Sequence, residues 1–121
     1  MVDFDKNVDT ITQFGPAFQS KVIASLIRNG SFLSQTVDVL NPNFFESQAS
    51  KWIVNKIIQY HSEYRKNPSM DFFRVEMNDL ETKSNLKVEV IDQLKNSHTH
   101  FAANDLEYVQ NRFLEFSKNQ T

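Results

Sequence analysis

The chain contains no cysteine, only two glycines and only three prolines in its 121 residues. Without cysteine it can form neither disulfides nor thiolate metal sites, and it has no thiol nucleophile. That composition fits a reducing compartment. With glycines only at Gly15 and Gly30, neither a GxxxxGK[ST] loop nor a GxGxxG turn can be written. Nucleotide phosphates therefore find no backbone cradle of either kind. No serine stands in a GxSxG elbow. No apolar run approaches the roughly 20 residues a membrane span requires. The opening MVDFDKNVDT is polar and acidic and does not read as a signal peptide. Clustered charge is missing as well: the formal net charge is -2, and the basic residues stand singly among acids apart from the doublet Arg65–Lys66. A duplex-binding surface would gather lysine or arginine on one face, so these charges read as a solvated exterior.

What is present in excess is phenylalanine. Eleven of them, in a chain that is 40% hydrophobic and 23% charged, predict a soluble fold with a core of bulky aromatics. The length suits one domain with one core.

The periodicity is helical throughout. Gly15–Pro16 opens a first helix, since proline at the first helical position gives up no needed hydrogen bond. Phe18, Val22, Ile23, Leu26 and Ile27 form its apolar stripe. Asn29–Gly30 is expected to end it through a left-handed glycine. Ser31 then caps a short helix bearing Phe32, Leu33, Val37 and Leu40. Asn41–Pro42–Asn43 breaks that helix, because proline disfavours helical geometry in the residue before it. A third, longer helix begins near Ser47 and carries Ala49, Trp52, Ile53, Ile57, Tyr60 and Tyr64. Val54 and Ile58 widen this face, which predicts a central helix contacted from two sides, with Trp52 in the core. Asn67–Pro68 is expected to end it, and Ser69 to cap a fourth helix with Phe72, Phe73, Met77 and Leu80. A polar patch from Glu81 to Asn85 precedes a fifth helix with Leu86, Val90, Ile91 and Leu94. Val88–Glu89–Val90 alternates, but it lies within a better helical period, so no strand is predicted.

The last helix has a narrower pattern. Asn104 with Glu107 resembles a capping box. Leu106, Val109, Phe113 and Phe116 follow at steps of three, four and three, the spacing of a heptad seam. The seam runs nearly to Thr121 without a stop signal. It therefore reads as the first arm of a helical hairpin that continues past this segment, with the four residues as an oligomer interface. The expected organisation is a flexible tail over 1–12, a globular helical head over 13–102 and this arm over 103–121. The fold class is all-α: a compact bundle of about five helices followed by a longer C-terminal helix.

Few residues suggest chemistry. His98–Thr99–His100, near Asp105 and Glu107, has the only metal-like spacing, but two histidines in a polar turn read as solvated loop residues. His61 reads as a boundary residue beside the third helix's stripe. No acid–base pair or activated nucleophile is legible, so no catalytic residue, metal or cofactor is expected. Phe44–Phe45 is the one candidate partner contact, against the commoner alternative of aromatics packed under a loop.

The order of parts resembles the N-terminal domain of DnaB-like replicative DNA helicases, particularly those of bacteriophages. AFQSKVIASLI, Ala17 to Ile27, matches the first helix of that domain. Leu40–Asn41–Pro42–Asn43–Phe44–Phe45 stands where its proline or acidic residue precedes an aromatic. The run from Ile57 to Tyr64 and then Asn67–Pro68–Ser69 is similar to an EYH-x-x-P-S ending. The likeness extends from about Phe14 to Phe116. It implies a non-catalytic domain that forms the collar of a hexameric ring and docks primase and the helicase loader. ATP hydrolysis would belong to a separate domain. It also implies a cytoplasmic protein (of the host, if viral), self-association through head and hairpin, and neither strong nucleic-acid binding nor membrane association by this segment. The competing reading is a stand-alone phage helical adaptor that binds a host replication or transcription factor.

Overall fold

The computed structural model describes residues 11–81 and 84–120. Among them are six α-helices, three short 3-10 turns and no strand, so the fold is all-α. The helices are α1 (Pro16–Arg28), α2 (Gly30–Thr36), α3 (Gln48–Tyr64), α4 (Met70–Glu76), α5 (Asn85–His98) and α6 (Leu106–Lys118). No helix among the described residues is long and apolar enough to cross a membrane.

Local chemistry explains where most helices start. Pro16 opens α1 after Gly15, whose φ of 93° and ψ of 163° lie in a region open essentially to glycine alone. The Ser47, Ser69 and Ser84 hydroxyls accept from the backbone N–H groups of Ser50, Phe72 and Lys87, capping α3, α4 and α5. Asn41 accepts in the same way from Asn43 N–H at 2.8 Å and shapes the Pro42–Phe44 turn.

Three boundaries differ from the sequence reading. Gly30 is not left-handed; it is the first residue of α2, and the cap of α2 is Asn29 rather than Ser31. Asn29 is extended, so it ends α1, and its side-chain oxygen accepts from Phe32 N–H at 2.9 Å. One residue thus performs both tasks. Helix α3 stops at Tyr64, where Arg65 takes the left-handed conformation with φ of 59°, so Asn67–Pro68 lies beyond its end. Asn67 instead donates to the Leu26 carbonyl at 2.7 Å and ties this loop to the end of α1. Helix α6 starts after Asp105 and has no side-chain cap, so the Asn104 capping box is not formed.

The central helix is α1, not α3. Residues 22–27 are buried in succession, because α1 touches α2, α3, α5 and α6 and leaves no free face over that stretch. The inward row of α3 is Ala49, Ile53, Val54, Ile57 and His61, which leaves Trp52 and Tyr60 half-buried and Tyr64 exposed. The cause is rotation: α3 turns its aliphatic edge to α1 and α5 and leaves its aromatic edge to the boundary. Polar contacts punctuate the core. The Gln93 amide donates to Ser20 at 3.2 Å and to Ser97 at 3.1 Å, joining α5 to α1 through small buried residues. Gln110 donates to Ser25 at 3.0 Å and does the same for α6. Buried Thr36 and Ser117 donate to the carbonyls of Phe32 and Phe113, four residues back, so neither hydroxyl is left unsatisfied.

The expected flexible tail over 1–12 falls largely outside the described residues. Its last part does not behave as a tail: Ile11 is fully buried, and Thr12 donates to Glu46 at 3.0 Å.

Candidate functional site

The residues singled out as interfaces turn inward. Phe44 and Phe45 are buried, because the Pro42–Phe44 turn directs both rings at α6. Phe44 meets Phe116 edge-on with centroids 5.2 Å apart, and Phe45 lies 6.1 Å from Phe113. They are core residues under a loop and not a partner contact.

Val109, Phe113 and Phe116 are buried as well, and Leu106 is half-buried. The narrow seam of α6 is covered within the chain itself. It closes the head by packing on α1 and on the ring cluster of Phe14, Phe18, Phe32, Phe44 and Phe45. Through these buried residues the described part of the segment, 103–120, packs onto the head rather than projecting from it. A stripe at steps of three and four serves a coiled coil and an intramolecular helix contact equally well. Polar contacts hold the register. Lys21 donates to Asp105 at 2.8 Å, and the Arg112 guanidinium sits 4.9 Å from the Phe14 ring centre. The Lys21 hydrogen bond holds the Asp105 carboxyl below its ordinary value, against an opposing push from desolvation.

Among the described residues no group of three or more His, Asp or Glu side chains could hold an ion. His98 stacks against Phe101, with ring centres 4.8 Å apart, and forms the end wall of a surface groove instead.

That groove, of about 410 Å³, has a mainly apolar lining. Helix α4 is only seven residues long and is pinned by fully buried Phe73 and by the Lys56–Glu76 ion pair to α3 at 2.9 Å. Phe72 packs edge-on against Tyr60 with centroids 4.8 Å apart. So held, α4 stands off α5 and leaves a cleft. Its floor is Met70, Met77, Ile91 and Leu94; its polar rim is Arg74, Lys95, His98 and Thr99. The sequence reading placed Met77 among the apolar residues of the fourth helix and Ile91 and Leu94 among those of the fifth. Leu94 is buried, whereas Met70, Met77 and Ile91 are only half-buried. A second concavity, of about 350 Å³, lies where Tyr60, Tyr64 and Phe72 meet Glu63 and Glu76. Its rings pack on one another, Tyr60 and Tyr64 at 4.6 Å, and leave no cage between them.

Arg74 pairs with Asp71 and Arg112 with Glu115, each within one helical turn. No protein-family model, no curated protein and no solved structure matches the chain.

Proposed function

We propose that this chain is the N-terminal domain of a DnaB-like replicative DNA helicase of the bacteriophage kind: a non-catalytic head that serves ring assembly and docks primase or the loader. The observation that supports this is the order of segments along the head. AFQSKVIASLI lies within α1, LNPNFF makes the turn between α2 and α3, and the RKNPS run follows the end of α3 and leads into α4. In this reading ATP hydrolysis belongs to a separate domain, and the present chain supplies no catalytic residue, metal or cofactor. Burial of Val109, Phe113 and Phe116 adds a constraint. Collar contacts must run through other surfaces of the head.

The test is isothermal titration of the purified chain with the primase and the loader of the same replication system. Binding to at least one, at a Kd of about 1–100 µM, is expected for a docking module that acts multivalently in a ring. No ATP turnover should accompany it, and a labelled single-stranded oligonucleotide should give a flat anisotropy titration at near-physiological salt. Failure of both proteins to bind refutes the proposal. So does sub-micromolar, salt-resistant DNA binding, since dispersed basic residues supply little counterion release.

A further inference from the structure

The α4–α5 groove joins an apolar floor to a basic rim. The chain carries more acidic than basic residues, 15 against 13. Yet the groove is lined by Arg74, Lys95 and His98 and by no carboxylate. Arg74 shares its charge with Asp71, whereas Lys95 stands exposed on the opposite wall. Below this rim the floor is aliphatic and thioether. Both methionines beyond the initiator, Met70 and Met77, are there. Methionine is unbranched and polarizable and adapts to the shape of an incoming side chain, which is why it recurs on surfaces that receive helices. Val88, more than half exposed, stands three residues before Ile91 and extends the apolar row along α5.

We infer that this groove is the docking site for an amphipathic helical segment of a partner protein, one that inserts apolar side chains at i and i+4 and carries acidic residues beside them. The dimensions agree. From Ile91 to His98 the α5 wall runs about 10 Å, and side chains four residues apart on a helix lie about 6 Å apart along its axis. Apolar anchors in the cleft supply the binding energy, and Arg74 and Lys95 select the sign of the flanks. A second copy of this chain is the poorer occupant. A two-fold contact through this groove would bring Arg74 and Lys95 towards their own counterparts, like charge against like. The inference rests on the reading of the chain as a docking domain, but not on which assembly it serves.

The test is selection from a displayed library of helical peptides against the purified chain, followed by fluorescence anisotropy on synthetic peptides that emerge. Enriched peptides should pair bulky apolar residues at i and i+4 with flanking Asp or Glu. Arg74→Glu/Lys95→Glu should weaken their binding about tenfold or more. The same double variant should prefer versions whose flanks are changed to lysine. Both positions are exposed, so the variant keeps its fold, which circular dichroism checks. Peptides without acidic bias, peptides that bind the variant equally, or no enrichment at all would each overturn the inference. Self-association of the chain that Met77→Asp abolishes would overturn it in favour of a second copy. If acidic peptides bind the groove while primase and loader bind nowhere, the helicase reading falls and the groove stands.

Discussion

Replacing Phe113 by alanine separates the two roles that the α6 seam could have. Phe113 is fully buried, and its ring centre lies 6.2 Å from those of Phe32, Phe44 and Phe116 and 6.1 Å from that of Phe45. Truncation removes a whole ring from a site whose walls come from α2, the Pro42–Phe44 turn and α6 itself, so the cavity cannot collapse without moving several elements. Phenylalanine-to-alanine changes of this kind cost about 3–5 kcal/mol, to which ring-on-ring geometry contributes. Against a total stability of about 5–15 kcal/mol, that is at least about a fifth of what a domain possesses. The midpoint of thermal unfolding should fall by about 12–20 °C, at roughly 4 °C per kcal/mol for a chain of this size. Urea unfolding followed by circular dichroism should show a lower midpoint with an unchanged slope, since the exposed area on unfolding is the same. Sedimentation of the wild-type chain should not depend on Phe113. A loss below about 1 kcal/mol, together with dissociation of a wild-type dimer, would refute the packing argument and return Phe113 to an intermolecular seam.

Trp52 is half-buried, with the Lys56 ammonium 5.5 Å from its ring centre, so Trp52→Ala should cost about 1–2.5 kcal/mol rather than the 3–5 kcal/mol of a fully enclosed aromatic; a loss above 3 kcal/mol in urea unfolding would place it in the core after all. The Lys21–Asp105 contact should make the α1–α6 junction sensitive to acid. Because the folded carboxyl titrates lower than the unfolded one, near 3.9, its contribution is present above that value and disappears as the pH falls through the lowered folded value. The stability difference between wild type and Asp105→Asn should therefore shrink between about pH 5 and pH 2. An equal difference at both ends of that range would contradict this assignment.

What the sequence determined by itself is local. The hydroxyls of Ser47, Ser69 and Ser84 and the ring of Pro16 act on backbone within one turn of their own positions, so those helix starts follow from adjacent residues alone. The helical period of each segment and the absence of strands are local for the same reason. What only the tertiary structure decided is which side of each stripe faces inward and against what. Helix α1, with residues 22–27 buried in succession, proved central because four helices surround it. The longer α3 packs through one edge. Phe44, Phe45, Phe113 and Phe116 have the spacing and bulk of interface anchors, yet each ring finds the others inside one chain. An apolar side chain is driven out of water whichever surface covers it, and no local feature distinguishes a covering helix of the same chain from one of a partner. The α4–α5 groove was hidden for the complementary reason. Its floor joins residues 70–77 to residues 91–94, and it stays open because Phe73 and the Lys56–Glu76 pair fix a short helix at a distance from α5 that neither helix encodes alone.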